Sequence, residues 1–285
     1  YADASAEETK TQELYIVGNI GYENASAIKK GNGHDCQQLG VWVPNGVTFS
    51  IRQVNTELNQ ALTFKMRNDD KYTESVNTIP ADGSWLTVTA AADSVPFVQS
   101  IYRADGKKPI VEFKTEGTKE LPVYKQGDDE KAFFEKWRSL DAPFAVYESK
   151  EYAIFLVPKC DMNANKIGSL EDLCIYYDNM IRQYNAFSGL TKDAKEVYNI
   201  DSGTKYFIKA NKHGAGGAYY SPAETAANSS SMAGYLEYNW GSLHEVAHGY
   251  DTVNFASGEI WNNVYAHYYQ LASIGRGTWL GLTEA

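Results

Sequence analysis

Two histidines and two glutamates with the spacing of a hydrolytic zinc site lie near the end of this 285-residue chain. His244 and His248 are four residues apart, so on a helix both imidazoles lie on one face and can bind the same metal ion. Glu245 then projects beside them toward a metal-bound water, and Glu259, eleven positions after His248, is a candidate third ligand. Three protein ligands leave one coordination position open, which is typical of catalytic rather than structural zinc.

The elements that must position these groups are two helices joined by a loop. Residues 254–258 predict a short loop, and apolar residues recur at helical spacing over residues 259–270. Two helices joined in this way can fold back on each other, which would bring Glu259 to the two histidines. The alternative is a surface helix that carries two histidines at this spacing and binds no metal.

This set of residues predicts metal-assisted peptide hydrolysis. A Zn²⁺ ion held by His244, His248 and Glu259 would lower the pKa of its water, and Glu245 would accept the proton as general base. No donor for the oxyanion is assigned, because a core or surface role fits any one of the 21 tyrosines in the chain. The candidates close in sequence are Tyr265, His267, Tyr268 and Tyr269.

Several polar residues near the motif have two possible roles. Asn263, one helical turn after Glu259, can support a metal ligand or be an ordinary amide on a helix face, and Asn262 has the same alternatives. Asp251 can hydrogen-bond a ligand histidine or merely cap the helix end. His34 and His213 have no partner at ligand spacing and are predicted to be loop histidines.

Beyond the motif, the chain resembles the M60, or enhancin-like, zinc metallopeptidases. The matching segments are Trp240-Gly-Ser-Leu-His-Glu-Val-Ala-His-Gly-Tyr-Asp251 and Gly258-Glu-Ile-Trp-Asn-Asn-Val-Tyr265. Residues 39–49 resemble the family's strand pair with Gly, an aromatic residue, Pro and Gly, and residues 215–220 occupy the place of its Gly-rich stretch. Ala247 and Asp251 replace the Gly and Gln that the family usually has. The resemblance covers about residues 35–272.

The resemblance implies an endopeptidase that cleaves extracellular or cell-surface glycoproteins, with O-glycosylated, mucin-like proteins as substrates. Residues 214–218 would then form an edge strand that pairs with an extended peptide, although an ordinary flexible loop fits them equally well. Members of the family normally continue well beyond the glutamate ligand, so a catalytic domain truncated at its C-terminal end is expected. The alternative is a non-catalytic glycan- or mucin-binding protein with a vestigial zinc site, against which the presence of Glu245 argues.

Composition excludes some partners. With 26 basic and 36 acidic residues the net charge is -10, which does not suit a nucleic-acid partner. No apolar run approaches the roughly 18 residues that cross a bilayer. The polar residues 1–12 indicate a trimmed mature start or a cloning boundary, with any signal or anchor upstream. The three cysteines allow either a Cys160–Cys174 disulfide or three buried free thiols, and their spacing does not suit a zinc ribbon. No oligomeric state is predicted.

The predicted fold class is α+β. An N-terminal antiparallel β-sandwich over residues 1–115 precedes a mixed α/β, zincin-like catalytic domain over residues 116–285, with the metal site on the HExxH helix. Val47, Phe49 and Ile51 alternate with polar residues as in a half-buried strand, and the resemblance implies the same sandwich. The elements predicted later are a helix over residues 128–140, a buried strand over 152–157 and a helix that follows Ser169. Ser169 and Asp172 predict an acidic variant of a capping box at the start of that helix, and its apolar stripe is Leu170, Leu173, Tyr177, Ile181 and Tyr184. The further strands predicted in the first part are residues 14–17, 62–66, 85–89, 97–102 and 110–114.

Overall fold

The structure is a computed structural model that describes residues 8–19, 30–251 and 259–274. It combines strands and helices, and the predicted α+β class is confirmed. The predicted loop over residues 254–258 and most of the polar opening lie outside the described residues. Within the described residues, no helix is long and apolar enough to cross a membrane.

The first part of the chain consists of short strands. They are β1 (Thr9–Glu13), β2 (Ile16–Val17), β3 (Cys36–Gln38), β4 (Val41–Trp42), β5 (Thr48–Gln53), β6 (Leu62–Arg67), β7 (Ser75–Ile79), β8 (Leu86–Thr89), β9 (Val95–Gln99), β10 (Ile101–Tyr102), β11 (Ile110–Lys114) and β12 (Lys119–Glu120). Eight of them form two four-stranded antiparallel sheets, in the orders β1-β11-β5-β8 and β3-β9-β6-β7.

These two sheets share one apolar core. Phe49 and Ile51 of β5 are buried, as their alternation predicts, whereas Thr48 is exposed. The ring of Phe49 stacks on that of Phe64 from β6 in the other sheet, with centroids 5.7 Å apart. Burying such aromatic side chains stabilises the packed sheets by roughly 1.5–3 kcal/mol per side chain.

The second part is built on one mixed sheet. Its elements are β13 (Val123–Lys125), α1 (Glu130–Leu140), β14 (Phe144–Glu148), β15 (Ala153–Pro158), α2 (Leu170–Phe187), β16 (Tyr206–Ala210), β17 (Ala218–Ser221), β18 (Glu224–Ala227), α3 (Trp240–Ala247) and α4 (Trp261–Ile274). The strand order is β13-β14-β15-β16-β18-β17, so β17 lies at the edge, antiparallel to β18.

Helix α2 forms because its sequence supplies both a cap and an apolar stripe. Ser169 and Asp172 make the reciprocal hydrogen bonds of a capping box, as predicted. The side chains that recur at helical spacing are all buried: Leu170, Leu173, Tyr177, Ile181 and Tyr184. This face packs against α3 and α4, so α2 supports both helices of the candidate metal site.

A buried group of charges joins the first part of the chain to the second. Arg67 of β6 lies 2.9 Å from both Glu74 and Glu224 of β18, and Lys209 of β16 lies 2.8 Å from Glu74. Burial acts to raise the pKa of Glu224, but the positive charges of Lys209 and Arg67 lower this pKa to about 2. The Tyr219 hydroxyl of the edge strand donates to Glu224. The ion pairs therefore also fix β17.

The cysteines are all free. The predicted alternative of a Cys160–Cys174 disulfide is wrong. Cys36 and Cys174 are buried, whereas Cys160 is exposed, so the alternative of three buried thiols holds for two of them.

Candidate active site

The two histidines of the motif lie at the C-terminal end of α3. Asn239 caps the helix by accepting from the backbone N–H of Gly241 at 2.7 Å. His244 is in the last turn, and His248 begins the 3₁₀ turn that follows. The two rings are perpendicular, with centroids 5.0 Å apart. One metal-binding atom from each of His244, Glu245 and His248 lies within 4.8 Å of the others.

Close packing beneath this turn explains the glycine after the second histidine. A Cβ atom at Gly249 would lie 2.1 Å from the hydroxyl oxygen of Tyr206. That hydroxyl donates to the carbonyl of Val246 at 3.0 Å. Any larger residue at position 249 would displace this tyrosine or the turn that carries His248.

Glu259 lies beside the histidines. Its Oε2 is 2.8 Å from Nε2 of His244 and 3.4 Å from Nε2 of His248. The residue stands two positions before α4 rather than in its first turn, and α4 packs against α3. The fold therefore brings together the three groups predicted as ligands, across a part of the sequence that the structure does not describe.

Both histidines present the nitrogen that a metal needs. Nδ1 of His244 lies 2.9 Å from Oδ1 of Asn263, and Nδ1 of His248 lies 2.8 Å from Oδ2 of Asp251. Both oxygens can accept a proton from Nδ1, and this arrangement would leave the lone pair of each Nε2 for a metal ion. The sequence allows two roles for each of Asp251 and Asn263. The structure places both residues against a histidine of the motif, so both have the role of a hydrogen-bond partner.

Asn263 contacts more than one part of the site. Its Oδ1 also accepts from the indole N–H of Trp240 at 3.1 Å, and its Nδ2 donates to the backbone oxygen of Glu259 at 2.6 Å. Sequence reasoning missed Trp240. Its position four residues before His244, on the same helix face, was the available signal.

Asn262 is fully buried at the centre of the site. Its amide nitrogen lies 2.9 Å from Nε2 of both His244 and His248, and 3.1 Å from Oε2 of Glu259. The amide nitrogen thus lies where Nε2 of both histidines and Oε2 of Glu259 come together. Two imidazoles and a carboxylate are ligands that suit Zn²⁺, so the set of residues fits this ion.

Glu245 is a buried carboxyl next to this point. It is 8% exposed, and its Oε2 lies 3.9 Å from Nε2 of His248. Burial raises the pKa of Glu245, while His248 and His244 act to lower it. A carboxyl group in such surroundings is suited to gaining and losing a proton.

The other candidates lie elsewhere. Tyr265 and Tyr269 are buried, and Tyr268 stacks on Phe187, with centroids 4.5 Å apart. His267 is half-buried in α4. His213 is in an exposed turn, 2.6 Å from Asp70. These placements assign no oxyanion donor.

His34 also lies in a turn, but it is fully buried, which the prediction of a loop histidine did not include. Its Nε2 lies 2.7 Å from the carbonyl oxygen of Ser221, and its Nδ1 accepts from the backbone N–H of Phe207 at 3.3 Å. His34 is therefore a structural residue.

A histidine pair at the end of a helix, with a carboxylate brought beside it from the residues before the next helix, is the arrangement typical of the class of zinc metallopeptidases. Comparison with known proteins agrees. Residues 117–277 match the family model described as peptidase M60, enhancin and enhancin-like. The chain is 30% identical over 241 residues to a viral-enhancing factor of Trichoplusia ni granulosis virus, an alignment that covers 81% of this chain. The chain therefore belongs to the M60 enhancin-like peptidase family.

Solved structures show the same fold. The catalytic module of the metalloprotease ZmpA from Clostridium perfringens matches 94% of this chain with a TM-score of 0.75 and 18% identity. The M60 catalytic domain of ZmpC from the same organism, in complex with the sialyl T antigen, matches with a TM-score of 0.73 and 18% identity. The chain spans 58% of the ZmpA module, 57% of the ZmpC domain and 27% of the viral-enhancing factor.

Proposed function

We propose that this chain is part of a zinc-dependent endopeptidase that hydrolyses peptide bonds in extracellular glycoproteins, with O-glycosylated, mucin-like proteins as substrates. The observation that carries the proposal is the convergence of His244, His248 and Glu259 on one point beside the buried Glu245. The substrate class is supported by the relative ZmpC, whose structure holds the sialyl T antigen.

In this proposal His244, His248 and Glu259 hold the zinc ion. When bound, zinc supplies a Lewis acid and lowers the pKa of a water molecule. Glu245 accepts the proton of the attacking water and passes it to the nitrogen of the leaving amine, so the peptide bond is replaced by a carboxylate and an amine. Asp251 and Asn263 keep the two imidazoles in the orientation and tautomer that the metal needs.

The edge strand β17 is the proposed binding surface for the peptide. It lies at the end of the mixed sheet and packs against α3, which carries the histidines. The ring centroid of Tyr220 in this strand is 6.4 Å from that of His248. An extended peptide can add to such an edge through backbone hydrogen bonds. The glycines of residues 214–217 precede the strand rather than form it.

We further propose that residues 1–115 and 116–285 are two domains, and that the protein is extracellular or attached to the cell surface. Support for the boundary comes from the family model, which begins at residue 117.

The test is to incubate the zinc-loaded protein with an O-glycosylated mucin and with its deglycosylated counterpart, each with and without chelator. Cleavage of the glycosylated form alone, lost with chelator, is expected. Glu245→Gln should retain zinc and lose cleavage, and Glu259→Ala should lose zinc. Binding of zinc and mucin without cleavage of either form would instead indicate a glycan-binding protein and overturn the proposal.

A further inference from the structure

The indole of Trp240 joins the two helices of the candidate site by a hydrogen bond. Trp240 is the first residue of α3, one turn before His244, and its Nε1 donates to Oδ1 of Asn263 in α4 at 3.1 Å. The same oxygen lies 2.9 Å from Nδ1 of His244. One amide oxygen of α4 thus faces two side chains of α3, which lie on the same helix face.

The partners of the Asn263 amide allow it one orientation. An indole N–H can only donate a hydrogen bond, and a backbone carbonyl oxygen can only accept one. In the structure the amide oxygen faces the indole of Trp240, and the amide nitrogen donates to the carbonyl oxygen of Glu259 at 2.6 Å. Turning the amide over would place a donor against a donor and an acceptor against an acceptor. These two contacts therefore determine which end of the amide faces His244.

This orientation has a consequence for the imidazole of His244. Because the amide presents its oxygen, the hydrogen bond to Nδ1 requires that Nδ1 carries the proton. Nε2 is then the nitrogen that can bind a metal, and it lies 2.8 Å from Oε2 of Glu259, on the side where the proposed ligands converge. The group that accepts from the second ring nitrogen of a ligating histidine sets both its tautomer and its ring orientation.

We propose that Trp240 is a positioning residue for His244. Its indole N–H holds the oxygen of Asn263 against Nδ1 and thereby directs Nε2 to the metal ion. The inference rests on the proposed function and gives Trp240 no contact with metal or substrate. The indole is half-buried and borders a cavity of about 850 Å³, so a smaller ring at this position removes the donor without forcing neighbouring side chains to move.

The test is a cycle of Trp240→Phe, Asn263→Ala and the double variant, with zinc affinity measured by competition against a chromophoric chelator. Trp240→Phe should raise the dissociation constant for zinc roughly fivefold, as for the loss of one hydrogen bond between neutral groups. In the Asn263→Ala background it should have no further effect, because Trp240 acts through Asn263. Tyr238→Phe is the matched control and should bind zinc as the wild type does, because Tyr238 borders the same cavity but packs against Tyr176.

A second measurement observes the histidine itself. In metal-free protein with ¹⁵N-labelled histidine, NMR at a pH where the imidazoles are neutral distinguishes a proton on Nδ1 from one on Nε2. The wild type should carry it on Nδ1 of His244. A variant with β-benzothienylalanine in place of Trp240 keeps the shape of the ring but has sulfur instead of the N–H group, and it should show both tautomers of His244.

The outcomes separate this inference from the proposed function. Wild-type zinc affinity of Trp240→Phe, or an equal loss in both backgrounds of the cycle, would overturn the inference and leave the proposed function intact. A proton that stays on Nδ1 of His244 without the indole donor would overturn it as well. If the wild type binds no zinc but the tautomer depends on the indole donor, the proposed function fails and the positioning of His244 by Trp240 stands.

Discussion

Replacement of Asn263 by alanine tests how the structure prepares the metal ligands. The side chain is 9% exposed and makes three hydrogen bonds: to Nδ1 of His244 at 2.9 Å, to the indole of Trp240 at 3.1 Å and to the carbonyl oxygen of Glu259 at 2.6 Å. The first fixes the tautomer of one proposed ligand, and the last fixes the backbone of another. A single substitution therefore loosens two of the three proposed ligands.

The size of the effect follows from these contacts. Removing the hydrogen-bond partner of a ligating histidine typically weakens metal binding by 10–100-fold, or about 1.4–2.7 kcal/mol. Each lost hydrogen bond also contributes about 1 kcal/mol to folding. We expect the dissociation constant for zinc to rise within that range, and the metal-free protein to lose about 1–3 kcal/mol of its free energy of unfolding.

The assay is competition for zinc against a chromophoric chelator, with urea unfolding of the metal-free protein measured in parallel. Asn263→Asp is the matched control. It keeps an acceptor for His244 and Trp240 and loses only the donor to Glu259, so it should bind zinc more tightly than Asn263→Ala. If Asn263→Ala binds zinc as tightly as the wild type, the argument that Asn263 prepares the ligands is wrong.

Three further predictions concern neighbouring contacts. Asp251→Ala should weaken zinc binding by about tenfold because Nδ1 of His248 loses its acceptor, whereas Asp251→Asn should bind zinc nearly as well as the wild type. Equal losses of zinc affinity for both variants in the same competition assay would count against an orienting role of Asp251. Burial lowers the pKa of His34 to about 3, below its value of 6.5 in the unfolded chain, so the unfolded state binds the proton more readily and stability falls as pH drops below 6.5. Between pH 7 and pH 5 the loss due to His34 should be about 2 kcal/mol, and His34→Gln should abolish it in urea unfolding measured at both pH values; an unchanged pH dependence would contradict this. Glu224→Gln should destabilise the protein by about 3 kcal/mol in urea unfolding, because the buried charges of Arg67 and Lys209 remain while one of the carboxylates that balance them is gone. Adding Arg67→Met should restore part of the lost stability, and additive losses in the double variant would refute a coupled ion pair.

Local patterns in the sequence predicted the elements that depend on neighbouring residues. The spacing of His244 and His248 determines that they share a helix face, and the Ser169 capping box and the apolar stripe of α2 determine where that helix starts and which face is buried. Strand alternation predicted the buried positions of β5. These features follow from helix and strand periodicity, which acts over a few residues and is written directly in the sequence.

Contacts between distant residues needed the tertiary structure. The choice between two roles for Asp251 and Asn263, the central position of the Asn262 amide and the burial of His34 all depend on which elements pack together. The same holds for the ion pair of Arg67 with Glu224, since these two residues are far apart in the sequence. A sequence specifies the chemical groups of a site, but their hydrogen-bond partners and their exposure are fixed only when the chain packs.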